Sequence, residues 1–185
     1  MTVEVVKTRM YKDVIESIIE VDKTFYTDID YSSNDWYFDR YSDKCEVTVL
    51  KVDGVICGYF IFFGIKENLF KDICELKYDN DYYFSVYDMD VDSDIKYLAS
   101  VLVKEEYRKF ALPLIKELDN QFKLLNSVVA IAVSEEGRKM CERYMQKLGN
   151  VNNKADVYLK TKKQGKWVLC FFVIWRKMRK IMVCI

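Results

Sequence analysis

Histidine is absent from all 185 residues, and that one absence closes off a large share of catalytic chemistry. Ser-His-Asp and Cys-His nucleophile systems, His-based zinc sites and imidazole general bases are all excluded. Proline occurs once and glycine six times, so the chain has neither a flexible linker nor a repeat. The six cysteines stand at 45, 57, 74, 141, 170 and 184 with no CxxC pair. Neither a zinc knuckle nor a thioredoxin-like dithiol is signalled, and no metal site is expected. Long apolar runs are lacking too. The longest uncharged one, Trp167–Trp175, is less than half of the roughly 20 residues a membrane-spanning helix needs. Net charge is zero, from 29 basic and 29 acidic residues, so no global field advertises nucleic acid or a membrane as partner.

What is present describes a globular chain. Hydrophobic residues make up 51% and charged residues 31%, a balance that excludes disorder. The length fits one domain, expected over 1–175 with a basic tail at 176–185. Residues 1–9 carry no apolar signal-peptide stretch, and Cys57 and Cys170 lie inside apolar runs. The cysteines therefore read as reduced and the protein as cytoplasmic, a monomer or homodimer.

The pattern of apolar residues places the elements. After a short strand near 3–7, Val14, Ile15, Ile18 and Ile19 predict a helix over 11–21. Two β-rich runs, 45–52 and 55–64, flank Asp53-Gly54, which supplies the positive φ values of a type I′ hairpin turn. A short helix is predicted near 69–76, a buried strand over 96–103, and a helix bearing Ala111, Leu114, Ile115, Leu118, Phe122 and Leu125. A strand at 127–133 precedes a helical face of Met140, Cys141, Tyr144, Met145 and Leu148, with Gly149 as its C-cap. Two last strands, 155–161 and 167–174, flank a turn at 162–166. The order implies an α/β fold of the α+β kind, with a mixed sheet covered by helices.

Charge is not evenly spread. Eight acids (Asp72, Glu75, Asp79, Asp81, Asp88, Asp90, Asp92, Asp94) face one base, Lys77, over 72–94. They read as a solvated loop and strand edge, or as an acidic wall for a cationic acceptor. The tail carries Arg176, Lys177, Arg179 and Lys180 without an aromatic stacking platform, so it reads as a solvated helix or terminus.

Chemistry concentrates in 97–118. A hydrophobic strand breaks after Val103, passes a polar turn with Arg108 and Lys109, and enters an amphipathic helix with Pro113 in its first turn. A helix N-terminus beyond a strand presents unpaired N–H groups and suits a pyrophosphate, although strand–turn–helix units are common. The stretch is similar to the acetyl-CoA motif of the GNAT superfamily of N-acetyltransferases, V-x-P-x-Y-R-G-x-G-x-G/A. Val103, Tyr107 and Arg108 match, and Glu106 agrees with a common choice at its position. Lys109, Ala111 and Pro113 stand where the family has Gly, Gly and Gly or Ala. The hairpin resembles the family's second and third strands through Asp53, Gly54, Ile56, Gly58 and Tyr59. Tyr144, Lys147, Leu148 and Gly149 match its Y-E-K-L-G-F ending.

The resemblance implies a central, mostly antiparallel sheet of about seven strands, splayed between the fourth and fifth. It implies acetyl-CoA as cofactor, its pantetheine arm on Leu102 and Val103 and its pyrophosphate at Arg108, Lys109, Phe110, Ala111 and Leu112. It implies direct attack by a primary amine of a small molecule or peptide, with Tyr144 protonating the departing thiolate. A phenol suits that task, because an ordinary pKa of about 10 leaves it protonated at neutral pH. Tyr144 reads equally well as a core aromatic. Trp36, Tyr37 and Tyr41 could line the acceptor pocket or pack a loop over the sheet. Without imidazole the proton acceptor is a carboxylate or water, with Glu46, Glu75 and the aspartates of 88–94 as candidates. The missing glycines and Pro113 leave a second expectation open, a domain of this fold without turnover that senses CoA or binds a protein.

Overall fold

The computed structural model describes residues 1–26, 45–77 and 88–161. The predicted pocket aromatics Trp36, Tyr37 and Tyr41, the acids Asp79 and Asp81, the predicted turn and strand at 162–174 and the basic tail at 176–185 lie outside the described residues. Within them the elements run β1 (Val3–Arg9), α1 (Lys12–Asp22), β2 (Glu46–Val52), β3 (Val55–Gly64), α2 (Glu67–Cys74) and β4 (Ile95–Val103). A 3-10 helix (Glu105–Phe110) leads into α3 (Leu112–Leu124), followed by β5 (Ser127–Ala132), α4 (Glu135–Tyr144), β6 (Gln146–Val151) and β7 (Ala155–Thr161).

The seven strands form one sheet in the order β1-β2-β3-β4-β5-β7-β6. Every pairing is antiparallel except β4 with β5, which is parallel. The fold is thus the mixed, mostly antiparallel seven-stranded sheet that the resemblance implies. The β2–β3 turn has positive φ at both central residues, 49° at Asp53 and 84° at Gly54, as a type I′ connection requires.

Helices cover both faces because alternate strand residues are apolar on each. On one face the α1 stripe of Val14, Ile15, Ile18 and Ile19 packs with Leu69 and Ile73 of α2 against Tyr59, Ile61, Tyr97 and Val129. On the other, Leu114, Leu118 and Phe122 of α3 and Met140 and Cys141 of α4 meet Phe60, Leu98, Val128 and Tyr158. Full burial of each such side chain contributes roughly 1.5–3 kcal/mol of transfer free energy. No helix among the described residues is long and apolar enough to cross a membrane.

Three local predictions need correction. The helix expected to reach Gly149 ends at Tyr144, and Met145 is already extended at φ −138°, ψ 158°. Residues 146–151 instead pair with β7, so Met145 and Leu148 are not helical and Gly149 is a strand residue. A Cβ there would lie 2.5 Å from a methyl of Leu76, a half-exposed side chain that would have to turn aside. Second, the hairpin partner of 155–161 is β6, reached through Asn152 and Asn153 in the left-handed region. With β5 on its other edge, β7 has no side free for a further strand. Third, the polar turn after Val103 is a regular 3-10 helix.

A charged cluster ties this end of the sheet together. Asp156 is 5% exposed and bonds Arg138 Nε at 3.1 Å, Lys147 Nζ at 2.7 Å and Asn150 Nδ2 at 2.7 Å. Burial opposes its ionisation, but these donors together hold its carboxyl below the ordinary range.

The four described cysteines are free thiols, three of them buried. Burial pushes Cys45 and Cys57 up to about 11 and Cys141 up to about 12. A thiol that ionises near 9 when unfolded thus holds its proton in the fold. The stability this gives is complete below about pH 9 and is lost as pH rises through the folded values. Each buried thiol should lose about 1.4 kcal/mol per pH unit across that window. Urea unfolding is expected to show a steep fall in stability between about pH 9 and about pH 11, shallower in Cys141→Ala. A flat profile would contradict the burial of these thiols.

Candidate functional site

The site is built by two parallel strands that part company. β4 and β5 pair only at Ile95–Ser127, Lys96–Val128 and Tyr97–Val129. Immediately beyond, the β3–β4 register slips: Phe62 faces Leu98 while Ile61 faces Ser100, which leaves Ala99 as an extra residue in β4. A bulge bends its strand and sharpens the local twist. From there β4 follows β3 to the Gly58–Val103 pair, and β5 follows β7 to the Ala132–Asp156 pair. Among the described residues, Leu98–Val103 and Ala130–Ala132 have no strand between them. The result is a cleft closed at Tyr97 and open at Val103, walled by backbone groups that require partners.

At the open end the chain leaves β4 through Lys104 and enters the 3-10 helix. Leu102 and Val103 lie on the cleft wall, Arg108, Lys109 and Phe110 in the 3-10 helix, and Ala111 and Leu112 at the start of α3. All seven predicted cofactor residues therefore stand at one end of one cleft. Their amides are another matter. A 3-10 helix closes i→i+3 bonds, so Tyr107 N–H donates to Lys104 O at 3.0 Å and Ala111 N–H to Arg108 O at 3.1 Å. The first α-helical bond is Ile115 N–H to Ala111 O, and Pro113 has no donor. The Leu112 amide remains as an exposed donor of this helix end.

Arg108 is the polar anomaly of the loop. Its Nε is buried and has no partner among the described residues. Its Nη1 lies 3.5 Å from Oε1 of Glu105, a carboxylate that is 81% exposed. A buried guanidinium donor left unsatisfied costs about 1–3 kcal/mol unless something accepts from it. Lys109 adds a second positive charge beside it, its Nζ 4.9 Å from the Phe110 ring centre.

Tyr144 lies toward the closed end, because α4 leaves the tip of β5 and runs back along it. Its ring stacks on Phe122 at 4.5 Å with 2° between planes. Phe122 in turn meets Phe62 edge-on at 5.3 Å, and Phe62 faces Leu98 beside the bulge. Lys160 fixes the end of α3 that carries Phe122, donating to Phe122 O and, at 2.7 Å, to Leu125 O. Burial pushes the Tyr144 phenol up to about 12, with Asp119 acting in the same direction and Arg143 against it. The hydroxyl is a proton donor throughout the physiological range.

Several of the carboxylates named as proton acceptors have partners of their own. Glu46 pairs with Lys7 at 2.6 Å and Glu75 pairs with Lys77, all four exposed. Asp90 accepts from Asp92 N–H in the turn before β4. Sequence reasoning missed Ala99, which no residue type announces.

No protein-family model matches the sequence, and no curated protein matches it. Solved structures do. GphF, a GNAT-like decarboxylase in complex with isobutyryl-CoA, superposes with a TM-score of 0.60 at 10% identity, over 87% of this chain and 99% of that one. A GNAT-family protein from Desulfovibrio desulfuricans gives 0.55 at 9% identity, over 86% and 99%. The PaiA N-acetyltransferase from Thermoplasma acidophilum, in complex with coenzyme A, gives 0.50 at 13% identity, over 87% and 99%. The chain has the GNAT fold.

Proposed function

We propose that this chain is a divergent member of the GNAT superfamily that transfers an acetyl group from acetyl-CoA to a primary amine of a small molecule or peptide. The observation that carries the reading is the parting of β4 from β5 at the Ala99 bulge, with the orphaned Arg108 Nε at the open end. The residues present fit coenzyme A. A pantetheine arm carries amides that can bond to the unpaired edge of Leu98–Val103, as a further strand would. Arg108, Lys109 and the Leu112 amide would hold the pyrophosphate, and Phe110 and Ala111 complete that end of the cleft.

Bound acetyl-CoA supplies an acyl group activated as a thioester. The protein contributes position and a proton. Backbone N–H groups at the bulge would polarise the thioester carbonyl, and Tyr144 would give its proton to the leaving thiolate. Trp36, Tyr37 and Tyr41 are candidates to meet the acceptor. The attacking amine must first be neutral.

One observation favours a second reading. The 3-10 helix occupies amides that a glycine-rich loop would leave free, which suits a domain that senses CoA without turnover. Calorimetric titration with acetyl-CoA, followed by thiol release in the presence of amines, separates the two. Binding with amine-dependent release is expected. Binding without release would select the sensing domain, and no binding at millimolar acetyl-CoA would remove both.

A further inference from the structure

The bulge that opens the cleft also turns two neighbouring side chains the same way. Ser100 pairs with Ile61 of the α1-side core, which puts the Ser100 side chain on that face. Ala99 packs against the same core, so two successive residues of β4 share one face. Alternation resumes beyond them, with Val101 on the α3 side and Leu102 on the α1 side.

Burial differs between the two faces at this step. Leu98 and Val101, on the face that α3 covers, are 0% and 3% exposed. On the α1 face Tyr97 and Leu102 are 2% and 1% exposed, whereas Ala99 and Ser100 between them are both partly exposed. Within Leu98–Val103 these two alone escape burial. The wall of the cleft is therefore open to solvent at the bulge, and on the α1 face.

Ser100 brings a hydroxyl to this opening, and no hydrogen bond engages it among the described residues. Consecutive Cα atoms lie about 3.8 Å apart, so the hydroxyl is within one residue of the bulge N–H groups. Those groups are the ones that would meet the thioester carbonyl. A neutral primary amine carries two N–H groups and one lone pair. Donating an N–H to a hydroxyl here leaves the lone pair to be aimed at the carbonyl carbon, which attack requires at about 3–3.5 Å.

Resting on the transferase reading, we infer that the acceptor amine docks in this opening, over the Ala99 methyl, and donates an N–H to Ser100 Oγ. Ser100 takes up no proton. It holds the nitrogen in place, and the small side chain at 99 leaves the room for it.

Acetylation of n-butylamine by Ser100→Ala, Ser100→Thr and Ala99→Leu tests this, with CoA affinity followed by calorimetry. Ser100→Ala is expected to raise KM for the amine about 3- to 10-fold and leave KM for acetyl-CoA unmoved, with Ser100→Thr restoring the loss. Ala99→Leu should fill the opening and lower kcat/KM for the amine about 100-fold at wild-type CoA affinity. An unmoved amine KM in Ser100→Ala, or equal rises for amine and acetyl-CoA, would overturn the inference. The opening is also read without turnover, since the thiol of Ser100→Cys should be alkylated by iodoacetamide with and without CoA. A thiol at 100 that resists alkylation would overturn the inference as well. Wild-type protein that acetylates no amine would overturn the transferase reading, and this inference with it, even where that thiol is alkylated.

Discussion

Arg108→Ala is expected to weaken coenzyme A binding about 10- to 100-fold while leaving the fold intact. The size follows from the chemistry of the contact. A hydrogen bond to a charged group contributes about 1.5–3 kcal/mol, and each 1.4 kcal/mol is tenfold in affinity. The absence of a folding cost follows from the geometry. The guanidinium has no partner at Nε among the described residues and only the exposed Glu105 at Nη1, a pair that contributes at most about 1 kcal/mol. Removing it should even relieve an unsatisfied buried donor. Arg108→Lys should recover part of the affinity, since it restores charge without the planar fork. Calorimetric titration of CoA against the three proteins checks this, alongside their thermal midpoints. Wild-type affinity in Arg108→Ala would take the loop out of the binding site.

Tyr144→Phe carries the second large effect, a fall in turnover of about 100-fold with little change in CoA affinity. Phenylalanine keeps the flat stack on Phe122, so the ring's contribution to the core survives and only the hydroxyl is lost. The phenol's elevated value of about 12 adds a second signature. Its proton should remain in place well beyond neutrality, so the wild-type rate should not fall between neutral pH and about pH 10 through loss of this acid. Single-turnover measurement of thiol release across that range separates the wild type from the variant. Unchanged turnover in Tyr144→Phe would return Tyr144 to the role of a core aromatic.

Much of the architecture was legible because it follows from local rules. Asp53-Gly54 named its turn, the Val14–Ile19 and Leu114–Phe122 stripes named their helices, and Val103, Tyr107 and Arg108 placed the loop at the end of β4. The failures came where tertiary pairing overrode local pattern. Met145 and Leu148 continue a helical spacing, yet the backbone groups of 146–151 satisfy themselves on β7. Gly149 looks like a cap from its neighbours alone, yet it pairs with Val157 as a residue of β6. The bulge at Ala99 depends on how β3 and β4 align, which no single residue encodes. In the loop, the absence of glycine was visible, but its consequence was not. Residues with side chains tightened the turn into a 3-10 helix and closed its amides on themselves.

The cleft is the centre of this account, and amide hydrogen exchange with and without coenzyme A tests it most directly. Saturating CoA should slow exchange in Leu98–Val103 and at Leu112, where unpaired backbone meets the ligand. The β1–β2 ladder, remote from the cleft, should exchange at its original rate. Protection confined to any other part of the sheet, or none at all, would contradict a cofactor site between β4 and β5.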